Sequence, residues 1–350
     1  MPPETLRLAS GPAVWYGPAM ARQSDWLNQF SPEQIDALEA AATRLLRHGR
    51  DIASVVQSDA ALVTLDPTLE RIAGEVLGGR GFVLLRGLPV GRWDRATSAM
   101  AYWIIGTRLG IAVPQNAAGH LLGHVRDLGN DPANPMTRIY TTNARQEFHT
   151  DSCDIVGLLC LHPSRSGGAS AITSSTTIWN EVLASQPDLA RVLIEPFTVD
   201  RKGEVPPGKQ ATYQLPIFHD HAGAITCIYA RAFIQAAQTR PNVPRLTAQQ
   251  VEAMDLVDHL ADDDAIRLDM DFQPGDIQFL HNHQILHART PYQDWPEPER
   301  KRHLLRLWLS AHQGRDLPAG FAERYGTVEK GKVRGGIRVE GVTSSAPLEP

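Results

Sequence analysis

The stretch on which the fold depends reads Gln146-Glu147-Phe148-His149-Thr150-Asp151. In an extended segment alternate side chains share one face, so His149 and Asp151 would point the same way and Thr150 the other way. An imidazole and a carboxylate on one face make two-thirds of a facial metal site, which needs one more histidine. The stretch therefore predicts two of three metal ligands, and the third must come from elsewhere in the chain.

A second histidine-rich stretch lies far downstream, within residues 280–289. It contains three candidate ligands, His281, His283 and His287. All three have the same parity, so alternation along a strand does not choose among them. Because His149 would have to meet one of them in space, the pattern argues against a domain boundary between the two stretches.

Alternation in residues 302–309 predicts a strand with two different faces. The packing face carries His303, Leu305, Leu307 and Leu309. The other face carries Arg302, Leu304, Arg306 and Trp308. Since Leu304 and Trp308 flank Arg306, we expect its guanidinium to be buried against an anionic group such as a carboxylate. For Arg302, a solvated position on an edge strand is an equal alternative.

Composition places limits on the class of protein. The chain has 350 residues, 42% hydrophobic and 21% charged, and a net charge of −5, which gives no basic surface for nucleic acid or membrane. Three cysteines without C-x-x-C spacing argue against a disulfide framework and indicate a reducing compartment. The first residues show no basic region followed by an apolar run, and no apolar stretch approaches about 18 residues, so we expect neither a signal peptide nor a membrane span. We predict a soluble, cytoplasmic protein.

Helical patterns dominate the N-terminal third and strand patterns the middle. Ser31, Pro32 and Gln34 predict a capped helix that begins at residue 32. Further helices are expected over 66–78 and 94–109, with helical inserts near 176–194 and 247–261. Strands are expected over 81–87, 138–142, 155–161, 197–202, 212–218, 224–229, 266–270, 277–281 and 303–310. This order predicts an α+β fold with an antiparallel double sheet flanked by helices.

Five ordered motifs connect these segments to a known family. They are His149-Thr150-Asp151, Gly167-Gly168-Ala169-Ser170, Pro274-Gly275-Asp276, Asn282 with His287, and Arg302 with Arg306. Together, over about residues 79–312, they resemble the taurine dioxygenase family of iron(II)/2-oxoglutarate oxygenases. The resemblance implies a double-stranded β-helix, or distorted jelly roll, flanked by helices.

The same resemblance implies a role for each motif residue. His149, Asp151 and His287 would be the iron ligands, which leaves three positions for 2-oxoglutarate and dioxygen. Arg306 would bind the distal carboxylate of 2-oxoglutarate, and Arg302 would lie near its keto-acid end. Ser170 stands where the family usually has threonine and keeps a hydroxyl for the cosubstrate. Fe(II), 2-oxoglutarate and dioxygen would then hydroxylate an unactivated C–H bond, with release of succinate and carbon dioxide.

The primary substrate is less well defined by the sequence. The candidates to line its pocket are Asn143, Arg145, Gln146, Tyr229 and Arg231. A basic and aromatic cluster would suit an anionic small molecule, although a solvated loop is the simpler interpretation; it comprises Arg201, Lys202, Lys209 and Tyr213. Alternative functions are an oxygenase of a protein or carrier-bound substrate and a non-oxygenase, cupin-like metal-binding jelly roll.

The motifs also suggest how the chain is organised. We expect one catalytic domain over residues 1–350, with a helical extension over 1–78, a jelly-roll core with helical inserts over 79–312, and a tail over 313–350. The sequence assigns no role to residues 1–30 or 314–350 and predicts no oligomeric state.

Overall fold

The computed structural model describes residues 6–134, 137–329 and 331–350, in which helices and strands are mixed along the chain. The helices are α1 (Gly17–Ala21), α2 (Pro32–Arg47), α3 (Asp66–Gly78), α4 (Arg95–Leu109), α5 (Ser175–Ser185), α6 (Pro187–Leu193), α7 (Arg231–Ala237), α8 (Ala248–Ala261) and α9 (Ala322–Tyr325). The strands are β1 (Leu27–Gln29), β2 (Phe82–Arg86), β3 (Gly110–Ala112), β4 (Leu122–Val125), β5 (Gln146–His149), β6 (Ile155–His162), β7 (Ser166–Gly167), β8 (Ser170–Ser174), β9 (Phe197–Asp200), β10 (Thr212–Leu215), β11 (Phe218–His221), β12 (Ala224–Cys227), β13 (Leu268–Met270), β14 (Ile277–His281), β15 (Ile285–Arg289), β16 (Tyr292–Gln293) and β17 (His303–Ala311).

Side-chain caps fix the starts of the predicted helices. At α2, the Ser31 hydroxyl accepts a hydrogen bond from Gln34 N, and the Gln34 side chain accepts one from Ser31 N. At α4, the Asp94 carboxylate accepts a hydrogen bond from Thr97 N. These caps satisfy amide groups that have no partner within the helix, so the predicted starts of both helices are confirmed.

Two sheets provide the frame of the molecule. The larger has the order β1-β2-β14-β6-β17-β3, and β4 also pairs with β17. The smaller has the order β13-β8-β15-β5. Strands β1 and β2 are parallel, and the other neighbours in these two sheets are antiparallel. The sheets do not form a closed barrel among the residues that the structure describes.

The two sheets face each other across an apolar layer. The larger sheet contributes Phe82, Val156, Leu280 and Trp308, and the smaller contributes Ile172, Leu268, Met270 and Ile285. Helices α2, α3 and α4 cover the outer face of the larger sheet, whereas α5, α6 and α8 pack against the smaller sheet. Strand β17 has the predicted two faces, because Leu305, Leu307 and Leu309 pack under the helices while Trp308 lies between the sheets.

Several expected elements differ in the structure. Residues 138–142 do not form a strand but a short 3₁₀ turn over Ile139–Thr141. The strand expected over 212–218 divides at Pro216 into β10 and β11. Helix α7 and strands β4, β8 and β15 were not predicted. A helical N-terminal third is not confirmed as such, since β1 and β2 belong to the larger sheet.

Within the described ranges, no helix has the length and apolar character that crossing a membrane requires.

Candidate metal centre

The smaller sheet and the loop after β5 bring His149, Asp151 and His287 together. Each of these side chains offers one donor atom, and the three atoms lie within 4.8 Å of one another. His149 ends β5 and pairs in register with His287 on β15. Their imidazole centroids are 4.2 Å apart. Direct strand pairing therefore brings together two histidines that are far apart in sequence.

A β-bulge in β5 determines which side chains accompany His149. His287 pairs with His149 and Arg289 pairs with Gln146, so two steps along β15 correspond to three along β5. One extra residue shifts the alternation, and Gln146 consequently shares a face with His149. The Gln146 amide nitrogen lies 2.9 Å from His149 Nε2.

Asn282 holds the loop that carries Asp151. Its side-chain oxygen accepts a hydrogen bond from Asp151 N at 2.7 Å. Its side-chain nitrogen donates to the carbonyl oxygens of Asp151 and Cys153, both at 2.8 Å. Asp151 follows the end of β5, so its orientation is set by this amide rather than by strand alternation.

The protonation states suit a metal ligand set. Burial and, to a smaller extent, the charge of His287 lower the pKa of His149 to about 4, against the opposing effect of Asp151. Burial alone would raise the pKa of Asp151, but Arg306 and the two imidazoles hold it well below its usual range. The site thus presents a neutral imidazole on His149 and an ionised carboxylate at neutral pH.

The positions of the donor atoms fit a metal ion. His149 Nδ1 lies 2.8 Å from the Glu147 carbonyl, to which it donates, so Nε2 carries the lone pair. Asp151 Oδ1 is 3.8 Å from His149 Nε2, and Oδ2 is 3.6 Å from His287 Nε2. Neighbouring ligands of one ion at about 2.1 Å would be roughly 3 Å apart, so a small contraction would close the site. Two imidazoles and one carboxylate are the donors that Fe(II) takes in non-haem oxygenases.

The competing histidines lie outside this group. His283 Nε2 lies 2.8 Å from Asp154 Oδ1, and both side chains are buried. His281 is also buried, with its Nδ1 near the Gln284 and Arg315 side chains. Alternation left the three histidines open; of them, His287 is the one that lies beside His149 and Asp151.

Three arginines line the same cavity as His149 and His287, and all three are buried. Arg306 Nη1 is 3.9 Å from Asp151 Oδ2, and Arg306 Nε donates to Gln115 Oε1 at 2.7 Å. Arg302 reaches the carbonyl oxygen of Gly168 at 3.5 Å. Arg289 is the third. The burial expected for Arg306 is confirmed, and the solvated alternative for Arg302 is wrong.

Ser170 begins β8 and pairs in register with Arg289. It lines the same cavity, together with Tyr140 and Phe272.

The residues expected to meet the primary substrate have different surroundings. Gln146 lines the cavity of the triad. Arg145 forms ion pairs with Glu147 and Asp262, and Arg231 forms them with Asp255 and Asp258. The Tyr229 hydroxyl donates to Asp258 Oδ1 at 2.8 Å. Asn143 is exposed, and its carbonyl accepts from Tyr292 N.

Sequence reasoning missed three residues of the site. Trp308 donates through Nε1 to Asp151 Oδ2, and Gln115 orients Arg306. Arg289 lies two positions after His287, so its place on the same face could have been inferred from strand alternation. Alternation did place Trp308 on the face of Arg306, but its bond to Asp151 had no sequence signal, and Gln115 had none, because their partners lie far away in sequence.

A larger cleft of about 710 Å³ lies on the other side of the larger sheet. It is lined mainly by apolar groups, including Val55, Trp103, Ile111 and Leu307. Leu307 faces away from Arg306 along β17, so the sheet separates this cleft from the triad.

Comparisons with known proteins agree with this geometry. Residues 48–308 match the family described as taurine catabolism dioxygenase TauD, TfdA family. FR-33289 synthase of Streptomyces rubellomurinus (strain ATCC 31215) is 28% identical over 317 residues, which cover 89% of this chain and 93% of that protein. Uridine-5'-phosphate dioxygenase of Amycolatopsis sp is 25% identical over 240 residues, or 65% and 83% of the two chains.

Solved structures show the same fold. Asparagine oxygenase superposes with a TM-score of 0.63 at 18% identity and covers 84% of this chain and 97% of its own. The non-haem iron oxygenase OrfP, in complex with Fe and alpha-ketoglutaric acid, gives a TM-score of 0.63 at 15% identity, with 81% and 94% covered.

The fold and the triad define a non-haem Fe(II)/2-oxoglutarate-dependent dioxygenase. The chain belongs to the TauD/TfdA family, whose model matches most of its length. Fe(II), 2-oxoglutarate and dioxygen are accordingly its cofactor, cosubstrate and oxidant.

Proposed function

We propose that this dioxygenase hydroxylates an unactivated C–H bond of a small anionic molecule, with His149, Asp151 and His287 as its iron ligands. The observation that carries the proposal is that His149 and His287 line one cavity with three buried arginines, one of which, Arg306, lies beside Asp151. When bound, Fe(II) with 2-oxoglutarate and dioxygen supplies the C–H oxidation and yields succinate and carbon dioxide. The protein binds, orients and shields the reactants.

The geometry supports a reversed assignment of Arg302, which directly precedes β17, and Arg306, which lies on it. The sequence-based expectation put Arg306 at the distal carboxylate of 2-oxoglutarate. Arg306, however, lies beside Asp151, whereas Arg302 lies four residues earlier, roughly 13 Å away along an extended chain. A cosubstrate that binds the metal through its keto acid directs its distal carboxylate away from the metal. We therefore assign the distal carboxylate to Arg302 and Ser170, and the metal end to Arg306.

The arrangement of the sheets supports one catalytic domain of distorted jelly-roll type. Strand β1, which lies within the expected extension over 1–78, pairs with β2 inside the larger sheet. In the C-terminal segment, Gly336 N donates to the Ser152 carbonyl, next to Asp151. The N-terminal part thus belongs to the larger sheet, and the C-terminal segment contacts the loop that carries Asp151. On this proposal the expected extension and tail are parts of the catalytic domain rather than appendages.

A group of cations around Phe233 supports an anionic substrate. Lys202 Nζ lies 4.7 Å from the ring centroid, and the guanidinium carbons of Arg138 and Arg324 lie at 5.6 and 5.8 Å. Arg138 pairs with Glu204, but Lys202 and Arg324 have no carboxylate partner among the described residues. Burial lowers the pKa of Lys202, and the charge of Arg138 lowers it further.

This group lies next to the metal centre. Phe233 and Arg324 line a small cavity together with Thr150, which stands between two of the proposed ligands. Arg138 precedes Tyr140, whose ring lies 4.6 Å from the Arg306 guanidinium. One relative is named for a nucleotide monophosphate, uridine-5'-phosphate, which carries an anion of the kind proposed here. Of the sequence-based candidates we retain Gln146, since Arg145, Tyr229 and Arg231 are engaged by carboxylates.

An anaerobic titration tests the reaction class. Fe(II) and 2-oxoglutarate added without oxygen should give a visible charge-transfer band, and admission of oxygen should then release succinate. A protein that binds Fe(II) but gives neither band nor succinate would contradict the proposal.

A substrate panel tests the substrate class. Phosphorylated, sulfonated and carboxylated compounds are compared with neutral analogues for stimulation of succinate release. Lys202→Gln should raise the KM of the best anionic substrate at least tenfold, whereas Lys209→Gln, which removes an exposed lysine paired with Glu323, should not. Preference for neutral compounds would reject the anionic assignment and leave the reaction class intact.

A further inference from the structure

Arg289 is buried without an anionic partner. Only 5% of the residue is exposed. Its Nη2 donates to the carbonyl oxygens of Thr142 and Ala144, but its Nε and Nη1 have no hydrogen-bond partner. It forms no ion pair with any described carboxylate. A buried guanidinium in this state is costly unless an anion reaches it.

Arg302 repeats this situation from the opposite sheet. It is 4% exposed, and its Nη1 also has no partner. The guanidinium carbons of Arg289 and Arg302 lie 4.9 and 5.1 Å from the centroid of the same Tyr292 ring. Two buried cations thus converge on one aromatic ring with their remaining donors unused.

Both guanidiniums belong to one end of the triad cavity. Arg289 stands two residues after His287 on β15, so both side chains point to the same face. Ser170 is the register partner of Arg289 on the adjacent strand and lines the cavity with it. This end therefore holds two guanidiniums and one hydroxyl, and Arg306 lies nearer the metal ligands.

A nearby carboxylate does not neutralise this pair. Asp294 Oδ1 accepts a hydrogen bond from the backbone N of Arg302 at 2.7 Å, while Oδ2 has no partner. No ion pair between Asp294 and the guanidinium of Arg289 or Arg302 is formed in the described part of the chain. The free donors therefore remain available to a carboxylate supplied by a ligand.

We propose that Arg289 joins Arg302 at the distal carboxylate of 2-oxoglutarate as a second guanidinium, and that Arg289 thereby makes the site selective for 2-oxo acids with a second carboxylate. The inference rests on the proposed function and extends it to a residue of this chain outside the five sequence motifs. A guanidinium fork binds a carboxylate through two parallel hydrogen bonds, so a second guanidinium adds donors that a monocarboxylate cannot use.

The test compares two cosubstrates by direct binding. Anaerobic enzyme with Fe(II) is titrated with 2-oxoglutarate and with 2-oxobutyrate, which keeps the keto acid but lacks the distal carboxylate, and the charge-transfer band gives each Kd. Arg289→Gln should raise the Kd of 2-oxoglutarate at least tenfold and change the Kd of 2-oxobutyrate less than twofold. Arg300→Gln, at a half-exposed arginine before β17, should leave both affinities unchanged.

Other outcomes separate the alternatives. Unchanged 2-oxoglutarate affinity in Arg289→Gln would overturn the inference. Equal weakening of both 2-oxo acids would also overturn it, because it would show that Arg289 only positions the loop at Thr142 and Ala144. If Arg289→Gln does not fold, Arg289→Lys serves instead. It should raise the Kd of 2-oxoglutarate about threefold or more and leave the Kd of 2-oxobutyrate unchanged. Absence of the band in the wild-type enzyme would refute the proposed function itself.

Discussion

The indole Nε1 of Trp308 donates a hydrogen bond to Asp151 Oδ2 at 2.9 Å. Trp308 is 4% exposed and lies in the apolar layer between the two sheets. The bond therefore joins the rigid interior of the sandwich to a proposed iron ligand. A donor fixed in this way limits rotation of the carboxylate, and Asp151 Oδ1 keeps its position near His149 Nε2.

Trp308→Phe should weaken Fe(II) binding by about 10- to 100-fold, because it removes this donor and keeps most of the ring packing. Competition with a chromophoric chelator under anaerobic conditions measures the affinity. Trp179→Phe is the matched control, since that buried indole donates to the Arg7 carbonyl, away from the triad. Equal iron affinity in Trp308→Phe and wild type would show that the bond has no role in holding the metal.

The assignment of the ligands predicts a sharp contrast among the histidines. Alanine at position 149, 151 or 287 should abolish both iron binding and succinate production. His283→Asn should lower the unfolding temperature, because it breaks a buried contact with Asp154, but it should retain one iron per chain. Metal analysis of anaerobically loaded protein measures the stoichiometry. An iron-free His283→Asn protein beside an iron-loaded His287→Ala protein would contradict the assignment.

The two faces of β17 were predictable from sequence because alternation there involves large apolar residues on one side. Burial of Arg306 followed from its flanking residues Leu304 and Trp308. Strand β15 was missed for the opposite reason. Its sequence Ile-Leu-His-Ala-Arg mixes apolar residues with two functional polar ones that face the cavity, so the strand pattern is weak.

Other features of the site depend on tertiary contacts. The β-bulge that brings Gln146 beside His149 is visible only in the pairing with β15. Asn282 was identified by its spacing from His287. Its hydrogen bond with Asp151 joins residues 131 positions apart in sequence, so the sequence did not indicate it. Strand pairing places His287, rather than His281 or His283, beside His149, and alternation alone does not encode this pairing.

The arginines predict separable effects on the cosubstrate. Arg302→Ala should raise the KM for 2-oxoglutarate at least tenfold, or about 1.4 kcal/mol, because a buried carboxylate would lose its partner. Arg306→Ala should mainly lower kcat, since Arg306 contacts Asp151 at the metal end. Steady-state succinate release measures both constants. The reverse pattern, with KM affected only by Arg306→Ala, would restore the sequence-based assignment.

The turn before β14 requires glycine for two physical reasons. Gly275 has φ of +88°, and a Cβ there would lie 1.9 Å from the Leu88 carbonyl oxygen. Gly275→Ala should therefore destabilise the protein by about 2–5 kcal/mol, from backbone strain and from overpacking. Gly49→Ala is the control, because Gly49 has φ of +66° with no atom within 4 Å. Urea unfolding that shows the same loss for both variants would exclude the steric contribution.

The buried pair His124 and His303 predicts acid sensitivity. His124 Nε2 donates to the Pro347 carbonyl at 2.9 Å, so its Nδ1 accepts the hydrogen bond from His303 Nε2 at 2.8 Å. Protonation of His124 would place two donors against each other. Burial lowers the pKa of His303 to about 3, with the charges of His124, Arg95, Arg126 and His162 acting in the same direction. Burial also lowers the pKa of His124.

The pKa of His303 in the folded protein lies below the ordinary value near 6.5. Between these two pKa values the unfolded chain therefore binds a proton at this histidine and the folded chain does not. Stability is therefore full above pH 6.5 and falls as the pH drops toward 3, by up to about 1.4 kcal/mol per pH unit for this histidine. His303→Gln keeps a donor toward His124 and removes this titration, so its free energy of unfolding should fall less steeply between pH 6.5 and 4. Urea denaturation at several pH values measures the slopes, with His48→Gln, at an exposed histidine, as control. Identical slopes in wild type and His303→Gln would mean that His303 does not contribute to the acid sensitivity.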